Sequence, residues 1–323
     1  MVNLHRKDTI IWYHISAKEK EVCEMIYIML GIMSVCFALQ AFFSKKFSDH
    51  FPGDTSCAAI VFSALYGLVT ALINMVSTGF NLSTSPMTLL IAAVNAVMLI
   101  LYNFGLIKAA SRGSYSVATV SSLFGSLIIP VFVSFFQSKV PTVIQIVAVG
   151  VMLVAFVFLN AEGFRQRTTS IKFYIYCLII FLSNGIYCSL LSVHSNIYPN
   201  EHTELIAITY LISAVFAVVW LIFKKGRRFA REFEITRKSV IFLFLTCVVS
   251  TVGLQLVLRI LPVLGNAVTY SVEDAAILVI SVALSVILFK EKLSPVKTVG
   301  IVLALISVLM LTCGDHVLAL INA

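Results

Sequence analysis

The stretch GNAVTYSVEDAAILVISVALSVILFKEKLSPVKTVGIVLALISVLML, residues 265–311, decides the fold. Two apolar runs flank a short polar turn, KEKLSP at 290–295. The first run holds two adjacent carboxylates, Glu273 and Asp274, about two helical turns in, and no further charge appears until Lys290. A charged residue at bilayer depth costs about 2.5–3.5 kcal/mol on insertion scales, so such groups face protein or water and mark a pathway.

The rest of the chain fits a membrane setting. It is 60% hydrophobic and 12% charged, where a soluble domain has about 25% charged residues. Ten spans of about 20 residues nearly exhaust 323 residues, which leaves no room for a soluble catalytic domain. The net charge of +8 sits in loops beside apolar runs, a pattern that orientation in an anionic membrane explains without nucleic acid. The seven cysteines form no C-x-x-C pair and read as small packing residues, so no metal site is expected.

Charge-free windows place spans near 25–44, 57–77, 87–109, 114–136, 142–160, 171–193, 204–223 and 239–258, with the opening hairpin supplying the ninth and tenth. Residues 1–24 form a polar tail without the apolar core of a signal peptide, and a start at Met25 would keep every span. Residues 25–160 and 171–316 make two five-helix halves, with 161–170 as connector and 317–323 as C-terminal tail. The turn at 137–141 aligns with that at 290–294 at an offset of 153. Five is odd, so a second copy must lie upside down. The expectation is an all-α polytopic membrane protein of ten transmembrane helices in two inverted five-helix repeats. Odd-numbered loops carry 17 of the 23 lysines and arginines, which makes them cytoplasmic and turns both termini outward.

Glu273 and Asp274 are the leading candidates for a proton, cation or substrate-ammonium site. They point about 100° apart on a helix, so only one can face a cavity squarely. Tyr270, one turn before, is within hydrogen-bonding reach of either. The alternative is a helix start, where the macrodipole favours acidic groups within the first turn. Gln40, Tyr102, Asn103, Ser122, Asn184 and Gln255 are polar positions inside other spans that would line the same cavity, as would Asn95, Ser126, Tyr187 and Thr251. Taken singly, each reads more readily as an interhelical packing contact. His194 and His202 lack metal-ligand spacing and receive no role.

No G-x-x-x-x-G-K-[ST], H-E-x-x-H or G-x-S-x-G motif occurs, which argues against direct ATP use and against an enzyme. No cofactor is implied. The pattern Glu291-Lys292-Leu293-Ser294-x-x-Lys297-x-x-Gly300 resembles the turn that closes each half of the drug/metabolite transporter superfamily, EamA type. The first half departs from it, with Ser138 and Val147 at the corresponding Glu and Gly positions.

The resemblance implies a secondary carrier or exporter of small metabolites such as amino acids, nucleobases or drugs. It implies alternating access around a cavity lined by spans 1, 3, 4, 6, 8 and 9. Family members usually keep both termini in the cytoplasm, opposite to the charge count. The implied partners are a small-molecule substrate and membrane lipid, the implied location is the plasma membrane, and the state is monomer or homodimer. A lipid or lipid-linked sugar flippase is the second reading, and a non-transporting scaffold the third.

Overall fold

The computed structural model describes residues 17–52, 55–110, 112, 115–137, 140–159, 161, 171–226, 233, 235–289 and 294–321. The turn at 290–293 and most of the 161–170 connector and the 1–24 tail lie outside them. Among the described residues the chain is all-α. Its helices are α1 (Ala17–Asp49), α2 (Thr55–Ser77), α3 (Pro86–Ala110), α4 (Tyr115–Ser134), α5 (Val143–Leu159), α6 (Ile171–Ile197), α7 (His202–Lys225), α8 (Arg237–Phe289) and α9 (Pro295–Ile321). Six segments are long and apolar enough to cross a membrane, and 120–134, 143–159 and 295–311 are shorter apolar helices.

Helix starts are written locally. Ser85 precedes Pro86 and its Oγ accepts the Thr88 N–H at 3.2 Å, an N-cap followed by proline at the first helical position. Ser294 and Pro295 repeat the device at α9. Thr142 and Gln145 form a reciprocal capping box at α5, and Thr236 caps α8 through the Ser239 N–H.

α8 corrects the expected boundary between spans 8 and 9. Helix continues through Arg259, where a loop was expected, and the only break is Gly265 at φ 75°. A left-handed φ is open to glycine without a Cβ penalty, and Pro262 just before it removes one backbone donor. The break divides α8 into a first arm, 237–264, and a second arm, 266–289. The helix therefore restarts at 266, so Glu273 and Asp274 lie about two turns inside it rather than in its first turn.

Neighbouring helices pair closely: α1 with α8, α2 with α7, α3 and α4 with α6, and α5 with α9. Small residues set the approach. A Cβ on Gly67 would sit 2.8 Å from the Tyr210 carbonyl oxygen, and one on Gly300 2.9 Å from the Leu159 nitrogen. Gly125 and Gly185 bring α4 and α6 into backbone contact, where a Gly125 Cβ would collide with the Phe181 carbonyl. The outward surface is apolar, with Phe136 80% and Phe223 87% exposed, while serine, threonine and asparagine are buried inside. Cys36, Cys177, Cys188 and Cys247 are buried and unbridged, as packing residues should be.

The helix ends segregate. Thr236 Oγ1 donates to the His50 carbonyl at 3.1 Å, and Arg112 lies over the Tyr176 ring at 5.4 Å, at the basic end of the bundle. Loops 78–85 and 198–201 meet at the opposite, far end.

Valine at Gly125 forces the α4–α6 backbones apart, at a cost of about 1–3 kcal/mol. Thermal denaturation of the purified protein should show a lowered midpoint for Gly125→Val. Gly31→Ala, where a Cβ meets nothing within 4 Å, should leave the midpoint unchanged or raise it.

Candidate functional site

The second arm of α8 delivers the carboxylates to the bundle interior. Asn266, the first residue after the break, is buried and ties the arm to α4: its amide lies 2.7 Å from both the Pro130 carbonyl and Ser134 Oγ. Two turns on, Asp274 is 6% exposed and its Oδ2 accepts from Ser126 Oγ at 2.7 Å. Ser126 is eight residues from one end of α4 and eleven from the other, roughly 12 and 16 Å, which sets this contact near mid-depth of a hydrocarbon layer of ~30 Å.

Ser126 has one hydroxyl proton and three acceptors in reach: Asp274, the Leu123 carbonyl at 2.9 Å and the Ser122 carbonyl at 3.3 Å. The carboxylate is nearest and the only charged one. One turn earlier on α4, Asn184 of α6 donates to the Ser122 carbonyl at 2.9 Å and to its Oγ at 3.1 Å. Ser122 in turn donates to the Tyr102 hydroxyl of α3 at 3.4 Å. Four predicted residues, Asp274, Ser122, Asn184 and Tyr102, thus gather where α3, α4, α6 and α8 meet.

Glu273 is partly buried, with Tyr187, Cys188 and Tyr270 as electrostatic neighbours. Its Oε2 is buried with no protein partner. Tyr270 bonds neither carboxylate, contrary to expectation. Its hydroxyl donates to the Cys188 carbonyl of α6 at 2.7 Å, because its ring points across to α6 rather than along its own helix.

The remaining candidates lie off the Ser126–Asp274 contact, with the cluster around Gln40 adjoining Glu273 through Tyr210 and Tyr187. Gln40 reaches the Tyr66 hydroxyl at a long 3.5 Å. Tyr66 also meets Ser250 of α8 and Tyr210 of α7, so α1, α2, α7 and α8 share one hydroxyl centre. Gln255 donates to Asn74 Oδ1 at 3.1 Å and Thr203 Oγ1 at 2.9 Å, near the far end. Asn103 donates to Ser63 at 3.2 Å and lines a separate cavity between α2, α3 and α7. Asn95 is fully buried with neither amide atom partnered, as is the Thr251 hydroxyl.

Tyr66, Tyr210 and Glu201 were not singled out from the sequence. Tyrosine vanishes in an apolar window, and Glu201 sits in a short polar loop. Its Oε2 accepts from the Ser85 N–H at 3.1 Å, from Ser85 Oγ at 3.0 Å and from Thr88 Oγ1, and Thr88 Oγ1 lies 3.0 Å from His194 Nε2. His194, given no role from spacing, is thereby part of the far-end closure. Partial burial raises the Glu201 carboxyl, but the Thr88 and Ser85 hydrogen bonds and His194 outweigh it and hold the group below the usual carboxylate range.

No cluster of three or more metal-ligating side chains occurs among the described residues. Residues 171–313 match the model of the EamA-like transporter family. One solved crystal structure superimposes with a TM-score of 0.70 at 12% identity, over 91% of this chain and 99% of its own, a likeness that shows the fold alone. No curated protein matches the chain. The family match over residues 171–313 and the six long apolar helices mark a multi-pass integral membrane protein.

Because the folded state depresses the Glu201 pKa, the stabilisation it gives is complete above the ordinary carboxylate range, near 4.3, and fades as pH falls through the folded value. Thermal melts from pH 7 to pH 3 should show Glu201→Gln less stable at pH 7, by about 1 kcal/mol for the charge lost from its hydrogen bonds to Ser85 and Thr88. The difference from wild type should shrink toward zero at the acid end.

Proposed function

We propose that this chain, whose residues 171–313 belong to the EamA-like transporter family, is a secondary carrier that moves small organic solutes by alternating access. The observation that carries the reading is the buried Ser126–Asp274 contact, near mid-depth, with the unpartnered Glu273 carboxylate oxygen on the adjacent residue. Hydrocarbon does not tolerate an idle pair of carboxyl groups at that depth.

Two inverted five-helix repeats suit this reading, with the arms of α8 as spans eight and nine and α9 as span ten. Exchanging each span with the one five places on maps the α2–α7 and α5–α9 pairs onto themselves, and carries α1 on the first arm of α8 into α6 on α3. Rocking of the halves would open the carboxylates to one side, then the other.

Coupling follows from the serine. Ser126 donates to ionised Asp274. Once Asp274 is protonated it becomes the donor, and Ser126 turns its proton to the Leu123 carbonyl, already at 2.9 Å. Neither state leaves a hydroxyl unpaired, so a proton can be loaded and released without a large penalty. Glu273, with an unpaired oxygen, is placed to receive a solute donor or cation. A flippase needs a polar groove open sideways to lipid at its working site, and the burial of Ser122, Ser126 and Asp274 gives the carboxylate centre none, which favours the carrier.

A thermal-shift screen of solutes on the purified protein supplies a ligand for proteoliposomes loaded with a pH-sensitive dye. Asp274→Asn should abolish solute-dependent proton movement, and Glu273→Gln should weaken solute binding about tenfold or more. Unchanged solute-dependent proton movement in both variants would place coupling on other groups and end the role proposed for these acids, and solute flux without proton movement in the wild type would leave a uniporter.

The charge bias supports cytoplasmic odd loops. A single-cysteine Arg228→Cys protein should resist membrane-impermeant maleimide in intact cells and react after permeabilisation. Labelling from outside would reverse the orientation.

A further inference from the structure

At the far end of the bundle, polar contacts cross between the two proposed halves. Glu201, in the loop between α6 and α7, accepts at Oε2 from the Ser85 N–H at 3.1 Å, from Ser85 Oγ at 3.0 Å and from Thr88 Oγ1, all at the start of α3. Gln255 of α8 donates to Asn74 Oδ1 of α2 at 3.1 Å. Ser192 of α6 donates to Gln137 Oε1, just past the end of α4, at 3.0 Å. Each contact joins a residue of 25–160 to one of 171–316.

The Glu201 clasp has a counterpart at the basic end. Exchanging spans five places apart carries the start of α3 onto the start of α8, and the α6–α7 loop onto the α1–α2 loop. Both helices open with hydroxyls three residues apart, Ser85 and Thr88 in one, Thr236 and Ser239 in the other. Yet among the described residues the basic-end pair makes one hydrogen bond to its opposing loop, from Thr236 Oγ1 to the His50 carbonyl at 3.1 Å. Hydrogen bonds to an ionised acceptor are roughly twice as strong as neutral ones. Three of them on Glu201 outweigh one exposed neutral bond, so the closure is firmer at the far end.

Beneath the clasp lies a polar face of α3. Asn95 follows Thr88 by seven residues and Tyr102 follows Asn95 by seven, so the three share one side of the helix. Thr88 Oγ1 meets His194 of α6 at 3.0 Å and Tyr102 meets Ser122 of α4 at 3.4 Å, which turns this side toward α6 and α4. Asn95 sits between them, about 10 Å below the clasp along the helix, fully buried with both amide atoms unpartnered. An orphaned amide is costly in a permanent core. One that meets water or solute in part of a transport cycle needs no fixed partner.

We infer that the Glu201 clasp is the far-side gate of the carrier, and that the α3 face through Asn95 is the path it closes. The inference rests on the carrier reading. Release of Ser85 and Thr88 lets α3 and α6 part along the line between the halves. Water then reaches Asn95, and below it the centre where Ser122, Ser126 and Asp274 gather. In the closed state the Tyr102–Ser122–Asn184 contacts lie on the other side of Asn95, toward the basic end.

The test places Asn95→Cys in the full chain, a change that removes the two unpartnered atoms. The purified protein in detergent is treated with a charged, water-soluble methanethiosulfonate, and modification at position 95 is followed by peptide mass spectrometry. Adding Glu201→Gln should speed it roughly fivefold or more, as the three hydrogen bonds lose their ionised acceptor. Adding Thr88→Val should act in the same direction. Native Cys177, buried beside Ala109, Ala118 and Phe173 in a separate core, is the control, and its rate should not change. Equal rates at position 95 with and without these changes would overturn the gate. A matching rise at Cys177 would mean general loosening and would overturn it too. Labelling uses neither solute nor proton, so its failure leaves the flux assay to judge the carrier reading separately.

Discussion

A carboxyl group at mid-depth in a bilayer must have a partner that serves it in whichever protonation state it adopts. Ser126 meets that constraint for Asp274, and much of the bundle holds the two 2.7 Å apart. The α4–α6 crossing at Gly125 and Gly185 fixes α4 one residue from the serine. Asn266 pins the start of the second arm of α8 to the last turn of α4, two turns from the acid. Remove either restraint and the serine and the aspartate need not face each other. The packing glycines and the polar anchors are thus parts of one device.

Much of the fold was legible because hydrocarbon enforces simple rules. Charges are excluded over about 20 residues at a time, so gaps between charges locate helices. Ser85-Pro86 and Ser294-Pro295 announce helix starts in the backbone chemistry of two residues. The exception was Arg259, whose charge read as a loop. It lies in the last turns before Pro262 at the far end, where a long side chain can reach the interface while its backbone stays helical. Gly265 then makes the break with one left-handed residue, too brief to register as a polar loop.

The candidate site was legible in kind and not in register. Polar residues inside apolar helices were the pool the sequence offered, and in the structure they divide among four places. Tyr102, Ser122, Asn184 and Asp274 converge, Gln40 joins Tyr66, Gln255 joins Asn74, and Asn103 opens on the lateral cavity. In a soluble helix the apolar stripe reveals which face is inward. Membrane helices are apolar on every side, so that cue is missing and the inward face is set by partners distant in sequence. Tyr270 shows the effect: it lies one turn from both acids, yet its hydroxyl crosses to Cys188 on another helix.

Glu201 and Asp274 show how two carboxyl groups in one protein acquire different work. Every polar contact on Glu201 Oε2 favours the ionised form, and one of them, the Ser85 backbone N–H, cannot reverse to accept a proton. Protonation at Oε1 would leave these three donors on a neutral and weaker acceptor, so the contacts hold the group charged and it clamps loop 198–201 to the start of α3. Asp274 has a hydroxyl as its partner, and a hydroxyl accepts as readily as it donates. The difference lies in the partners and not in the acids. A fixed donor makes a latch, and on the proposed reading a reversible one makes a place where a proton can come and go.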